Sequence, residues 1–551
     1  MASGHSMRIV GGTVYDPANG IEGEVRDIHV RDGQIVEDTD PDCAVIDATG
    51  MVVMPGGVDI HSHVAGSGVN LARRLSPEEH DADPVRAPVL VDGGGRSGSG
   101  GTVPSTFTTG YRYAGLGYTT VFDAAVAPLM ARTAHADFDD TPIVDAGFFV
   151  LMGNDHYLLT LLAANEREQA REYAAWLLGA AAGYAIKIVN PGGIELWKSG
   201  TRGEVTLDTP VGSSLVTPRL IVETLVDAAN TLQLPHAAHI HCNNLGAAGN
   251  VHTTLSTMRA VEGRRVHFTH LQFHCYDEGA GGSWKSGAKA IVDYVNGHPD
   301  ISADVGQVMF GPATTLSADG PAEYLLSKSG GRKWSNVDIE LETGCGIVPY
   351  HYRERAALSA LQWAIGLELF LLARDPWRMV LSTDHPNGGS FMAYPALIRL
   401  LMDRGWRDAQ LKLVNQRLLA GSALADGLDR EYTLNEIAII TRAGPARILG
   451  LARKGHLGVG ADADITVYAQ DSDVARMFET PRYVVKGGVL AVEEGQLRRA
   501  PAGRRIYVRP PHEQSVVHGV RAHFDRYSTV SFDNYAVGEL GNAPHAVASR
   551  R

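Results

Sequence analysis

Cysteine is scarce in this chain, with four in 551 residues, and Cys43, Cys242, Cys275 and Cys345 lie far apart with no CxxC pair. That spacing excludes a disulfide-stapled scaffold, a cysteine-type zinc site and an iron–sulfur cluster. Long apolar runs are also missing. The longest apolar-leaning stretch, Tyr173 to Ile188, is broken by Gly179, Gly183 and Lys187, so no membrane span is expected. No secretory apolar core follows the first residues, and the short polar start MASGHS is set aside from the fold. With unpaired cysteines, this points to a cytoplasmic protein. Basic charge is in deficit, 49 Lys and Arg against 62 Asp and Glu for a net charge of −13, which disfavours nucleic-acid binding. No internal repeat is visible.

What is present is an ordinary globular composition, 44% hydrophobic and 20% charged, enough for a large core and a smaller second domain. Short strands are expected at Met7 to Val14, Asp27 to Arg31 and Gly33 to Glu37, with the Asp-Pro-Ala-Asn-Gly turn at 16–20 between them. Strand-like segments return at His456 to Tyr468, Arg482 to Lys486 and Gly488 to Glu493. Two β segments flanking a long middle suggest one β-sandwich domain built from both termini.

The middle alternates apolar β-type runs (119–126, 185–189, 236–241, 265–272, 301–306 and 379–385) with helical periodicity at Glu166 to Ala182, Leu220 to Leu232, Gly287 to Asn296 and Ala356 to Ala373. That order predicts an α/β fold, a (β/α)₈ barrel, with a doubly wound sheet as the alternative. The expected organisation is a sandwich lobe over 7–58 and 441–510, a barrel over 59–440 and a C-terminal arm over 511–551. The arm packs on a neighbouring chain or wraps its own. Ser76 to Gly117, with the glycine-rich Asp92 to Gly101, reads as an insertion able to cover a site at the barrel mouth.

Candidate chemistry begins at PGGVDIHSHV, where period two sends His61 and His63 to one side at a strand end. Two imidazoles there suit Zn²⁺ or a similar ion. Lys187 sits inside Ala-Ile-Lys-Ile-Val, an apolar setting in which its charge is costly. It is either an edge lysine reaching water or a buried amine that takes up CO₂ as a carbamate bridging two metal ions. His239 and His241, then His267 and His270, close two further strand-like runs. The last of each, His241 and His270, should reach the mouth as ligands, with His239 and His267 packed behind as orienting partners. Asp384, in LSTDHPNGG, follows a strand and can bind metal and exchange a proton with water, or merely cap a turn.

The order HxH, Lys, His, His, Asp over His61, His63, Lys187, His241, His270 and Asp384 resembles the binuclear amidohydrolase superfamily. The resemblance implies an amidohydrolase-type TIM barrel, two divalent metal ions, zinc by donor type, a carboxylated Lys187, and Asp384 as the catalytic acid and base. GGTVYDPANG (11–20), DIHSHVAG (59–66), AIKIVNPGG (185–193), HIHCNNLGAAGN (239–250), FTHLQFHCY (268–276) and STDHPNGG (382–389) further resemble the A subunits of formylmethanofuran dehydrogenases and of bacterial formyltransferase/hydrolase complexes. That resemblance implies hydrolysis of the N-formyl amide of a methanofuran-type one-carbon carrier to formate and amine, beside a formyltransferase subunit. High Ala, Gly and Arg usage leans toward the bacterial complex.

Such carriers have acidic tails, which Arg73, Arg74, Arg96 and Arg112 could take by carboxylate pairing, although solvated surface arginines are the plainer reading. Asn190, Asn243 and Asn387 could orient an amide or form turns. Competing functions are a cyclic-amide hydrolase of the dihydropyrimidinase or dihydroorotase kind and a non-catalytic scaffold subunit.

Overall fold

Runs of β-branched and aromatic residues bounded by glycine become eight parallel strands around one core, β1 (Gly57–Ser62), β2 (Tyr118–Val126), β3 (Asp145–Leu151), β4 (Ala185–Val189), β5 (Ala238–His241), β6 (Val266–Phe268), β7 (Ile301–Asp304) and β8 (Met379–Val380). Each pairs with the next in parallel register, and a single bridge from Ser62 to His385 joins the two ends. The computed structural model describes residues 6–75, 106–212, 214–337, 345–538, 540 and 545–547. The expected glycine-rich loop, Asp92 to Gly101, lies outside them.

Parallel strands covered on both faces read as continuous apolar runs, and all five residues of β4, Lys187 included, are buried. The covering helices fall where periodicity placed them, at Arg167–Ala181, Pro218–Thr231, Ala288–Gly297 and Ala357–Leu372. Thr217 caps the second by accepting the Leu220 N–H, with Pro218 in the first turn. β3 was not among the expected strands. Its Gly147 is required because a Cβ there would stand 2.6 Å from the Ile506 carbonyl oxygen.

Both ends of the chain meet in one nine-stranded mixed sheet. Ser6–Asp16 pairs with Ile21–Arg31 and Met51–Pro55, and Ile465–Ala469 joins Met51–Pro55 to Tyr483–Lys486. Of the expected strand His456 to Tyr468, the stretch from Ile465 forms the strand and Asp462 makes a single antiparallel bridge to Gln34, while Gly455, Gly458 and Gly460 hold the preceding residues in a loop. Ile9, Val14, Val30, Val53, Ile465 and Val485 form the lobe's own core. Where lobe meets barrel, buried Asp145 is 2.5 Å from Lys454, 2.8 Å from Lys486 and 2.8 Å from Arg504.

Two features complete the frame. Between β7 and β8 the strands Gly311–Ser317, Ser335–Val337 and Cys345–Tyr352 form a small antiparallel sheet. Arg505–Tyr507, on the lobe side of the expected boundary at 510, pairs with β3. Beyond it the helix Ser515–Tyr527 packs on Arg167–Ala181, and Phe532 and Tyr535 stack on Trp176 at 5.9 and 6.0 Å. The described part of the arm thus packs on the barrel's Arg167–Ala181 helix. Among the described residues no helix is long and apolar enough to cross a membrane.

Candidate metal centre

Two residues before His61 on β1, Asp59 is buried and accepts hydrogen bonds from the Tyr113 hydroxyl at 2.8 Å, the Tyr394 hydroxyl at 2.5 Å and the His61 backbone N–H at 3.1 Å. His61 and His63 face the mouth, where their Nε2 atoms lie 2.9 and 3.2 Å from Asp384 Oδ1. Burial lowers the His63 pKa, but Asp123 and Asp384 more than offset this and raise it to about 9. Burial would raise the Asp384 carboxyl, yet His61, His270 and His63 hold it well below the usual carboxylate range. Asp384 is itself in the left-handed region with φ 50°, fixed by its N–H to Ser382 Oγ at 3.1 Å and by the Asn387 amide donating to Oδ1 at 2.9 Å.

Lys187 occupies the centre of β4, flanked in register by Leu151 and His239. It is 1% exposed and its Nζ has no hydrogen-bond partner among the described residues. Burial pulls its pKa down to about 7, although Asp304, Asp384 and Asp123 oppose the shift. His241 ends β5, and its Nε2 is 3.5 Å from Asp319 Oδ2. The His270 ring meets the His241 ring edge-on at 4.7 Å.

Behind these groups Asp304, at the end of β7, gathers several hydrogen atoms. Its carboxylate lies 3.3 Å from His61 Nδ1 and 3.1 Å from His267 Nε2. It accepts from Thr269 Oγ1 at 2.7 Å, Ser382 Oγ at 2.9 Å and the His270 N–H at 3.0 Å. His239 Nε2 is 3.1 Å from His61 Nδ1, and its Nδ1 is 3.0 Å from His236 Nε2. One carboxylate thus orients groups from β1, β6 and the loop after β8.

His61, His63, Lys187, His241, His270 and Asp384 line one cavity of about 550 Å³, with Phe273, Trp284, Tyr350 and Tyr352 among its walls. His239 and His267 pack beneath it, fully buried. Ligand atoms within 4.8 Å of one another form three groups, His61/His63/Asp384, His241/His270/His274 and His61/His239/Asp304. Asp304 and His274 escaped the sequence reading. Asp304 is the fourth residue of the strand-like run ISADVG, and His274 lies four residues past His270, so only position marked them. Convergent imidazoles, a carboxylate and an unpartnered buried amine fit a divalent ion.

The asparagines and Arg73 brace the site. Asn190 donates to Asp319 at 2.9 Å and accepts from Asn243 at 2.8 Å. Arg73 donates to the Val64 carbonyl at 3.0 Å and to Asn70 at 2.8 Å, which commits it to the loop after His63 rather than to an acidic tail. Arg74 is exposed, Arg112 is half-buried, and Arg96 lies outside the described residues.

The amidohydrolase family model matches residues 44–492. Protein FwdA of Methanocaldococcus jannaschii is 45% identical, with 96% of each chain covered. The A subunit of the formyltransferase/hydrolase complex Fhc of Methylorubrum extorquens is 39% identical, with 89% of each chain covered. A chain of the X-ray structure of the M. extorquens formyltransferase/hydrolase complex with methylofuran superposes with a TM-score of 0.93 at 35% identity, covering 99% of this chain and 100% of that one. A D-aminoacylase structure, at TM-score 0.50 and 15% identity, shares the architecture.

Proposed function

The chain belongs to the amidohydrolase family, and from that premise we propose that it hydrolyses the N-formyl amide of a furfurylamine-type one-carbon carrier to formate and free amine, as the hydrolase subunit of an assembly containing a formyltransferase. The observation that carries this reading is the convergence of two donor groups and Lys187 on one cavity, in a chain that matches almost end to end one from a complex solved with methylofuran. The archaeal relative is the more identical of the two curated ones, so identity does not single out the bacterial type of assembly.

His61, His63 and Asp384 would hold one divalent ion, and His241 and His270 a second. Lys187 would bridge them once its neutral amine adds CO₂, forming an N–C bond and releasing a proton. Zinc suits this nitrogen-rich set. Bound here, such ions supply Lewis acidity and a water acidic enough to attack an amide. Asp384, held ionised between two imidazoles, takes the proton of the attacking water and delivers it to the departing nitrogen. Asp304 keeps the His61 ring turned for ligation through Nδ1. Phe273, Trp284, Tyr350 and Tyr352 offer a furan ring flat apolar walls and exclude bulk water.

The decisive comparison is formate release from an N-formyl-furfurylamine carrier by the wild type and by Asp384→Asn, with metal content measured in both. Two divalent ions in the wild type, and turnover reduced about 10²–10⁴-fold in the variant, support the reading. A metal-replete wild type that releases no formate but opens dihydrouracil or hydantoin would replace it with cyclic-amide hydrolysis.

A further inference from the structure

We propose that His241, His270 and His274 form a three-imidazole site that holds a divalent metal ion on protein nitrogens alone, whether or not Lys187 is modified. The inference rests on the cavity being a metal-dependent centre and names the side chains that carry its second ion.

The backbone brings the third imidazole in. His270 leaves β6 in the left-handed region with φ 34°, against Gly306, where a Cβ would come within 2.4 Å of the His270 Cβ. The turn Leu271–His274 then returns the His274 ring to the His270 ring, with centroids 5.2 Å apart and planes 21° from parallel. His241 closes the group from β5, its ring 5.0 Å from that of His274. One ligand nitrogen from each lies within 4.8 Å of the other two. Zinc bonded to imidazoles at about 2.0–2.1 Å sets donor nitrogens roughly 3.3 Å apart, a gap that small ring rotations close.

Packing alone does not account for His274. It is 1% exposed, and neither ring nitrogen has a hydrogen-bond partner among the described residues. His270 Nδ1 likewise has none, and His241 Nε2 has only the Asp319 carboxylate at 3.5 Å, without a hydrogen bond. Buried polar atoms of this kind are uncommon and call for an explanation. The neighbouring orienting histidines behave differently. His239 is paired at both nitrogens, to His61 and His236, and His267 to Asp304 and Ser302. Unlike those two, the rings of His241, His270 and His274 each keep a nitrogen without a hydrogen bond, and an ion between them would take one nitrogen from each ring.

The test uses the full chain with any co-purifying subunits, stripped by chelator and titrated with Co²⁺ or Zn²⁺ alone. In a His63→Ala/Lys187→Ala background the first donor group and the bridge are disabled, so one ion per chain should remain. Zinc-edge X-ray absorption of that background should count three imidazoles, a measurement that needs no change at His274. Adding His274→Ala should weaken Co²⁺ binding at least tenfold and alter its visible spectrum. A two-imidazole signal, no ion bound in the background, or unchanged Co²⁺ affinity and spectrum on removing His274 would overturn the proposal. Formate release by a wild type whose second ion has two imidazoles would leave the proposed function standing and sink only this inference. A three-imidazole site in a chain that releases no formate would do the reverse.

Discussion

Replacing Lys187 with methionine should stabilise the metal-free protein while removing its function. The Lys187 ammonium is buried without a partner, and its pKa falls from 10.5 to about 7. An unfolded chain binds that proton up to about pH 10.5, whereas the folded chain releases it near 7, so the lysine destabilises the fold in full below pH 7. The penalty shrinks as pH rises and vanishes above 10.5. At about 1.36 kcal/mol per pKa unit, the shift of about 3.5 units corresponds to at most about 5 kcal/mol at pH 7. About 2 kcal/mol of it is left at pH 9. Methionine fills nearly the same volume without the charge. With an unfolding entropy of about 2.1 cal/mol/K per residue, a 551-residue chain should gain roughly 4 °C in Tm at pH 7 and under 2 °C at pH 9. The assay is thermal unfolding followed by circular dichroism, in chelator and CO₂-free buffer, at both pH values. A variant no more stable than wild type at pH 7, or a gain equal at the two values, would show that Lys187 carries no uncompensated charge and refute the reasoning.

Two other outcomes are expected. Asp145→Asn removes the carboxylate that faces Lys454, Lys486 and Arg504 and leaves buried cations underneutralised. It should cost about 3–5 kcal/mol and split calorimetric unfolding into separate lobe and barrel transitions, and a single unshifted transition would contradict it. Trp284→Ala opens the cavity wall away from the ligand atoms. It should raise KM for the furfurylamine carrier about tenfold while metal content stays at the wild-type value, and equal losses of metal and affinity would assign Trp284 a structural role instead.

Much of the barrel was readable because strands covered on both faces announce themselves, as AIKIV and TTVFDAAV do. β3 hid because DAGFFVL opens on Asp145, a charge answered by Lys454, 309 positions away. The antiparallel sheet between β7 and β8 hid for a similar reason, since Thr315 pairs with Val348 across a long intervening segment. At the site, His61 and His63 were legible from period two, and His241 from its place at a strand end. Asp304 looked like any strand-terminal aspartate because its partners come from β1, β6 and the loop after β8. Long-range register, which no local pattern encodes, separates the two classes.

The same site explains why loading and folding should be linked. Asn190, His270 and Asp384 all adopt positive φ, at 42°, 34° and 50°, conformations that cost about 1–3 kcal/mol each in side-chain-bearing residues. They persist because each is tied down: Asn190 to Asp319 and Asn243, His270 through its N–H to Asp304, and Asp384 through its N–H to Ser382. Added to the Lys187 penalty and the imidazole nitrogens without hydrogen bonds, this strain makes the mouth of the barrel costly to fold in the absence of a ligand. An ion that binds only the folded chain, at a free concentration about 1,000 times its Kd, returns about 4 kcal/mol. That is nearly the size of the lysine penalty alone, so the residues that make the site reactive also make the fold respond to the ion that completes it.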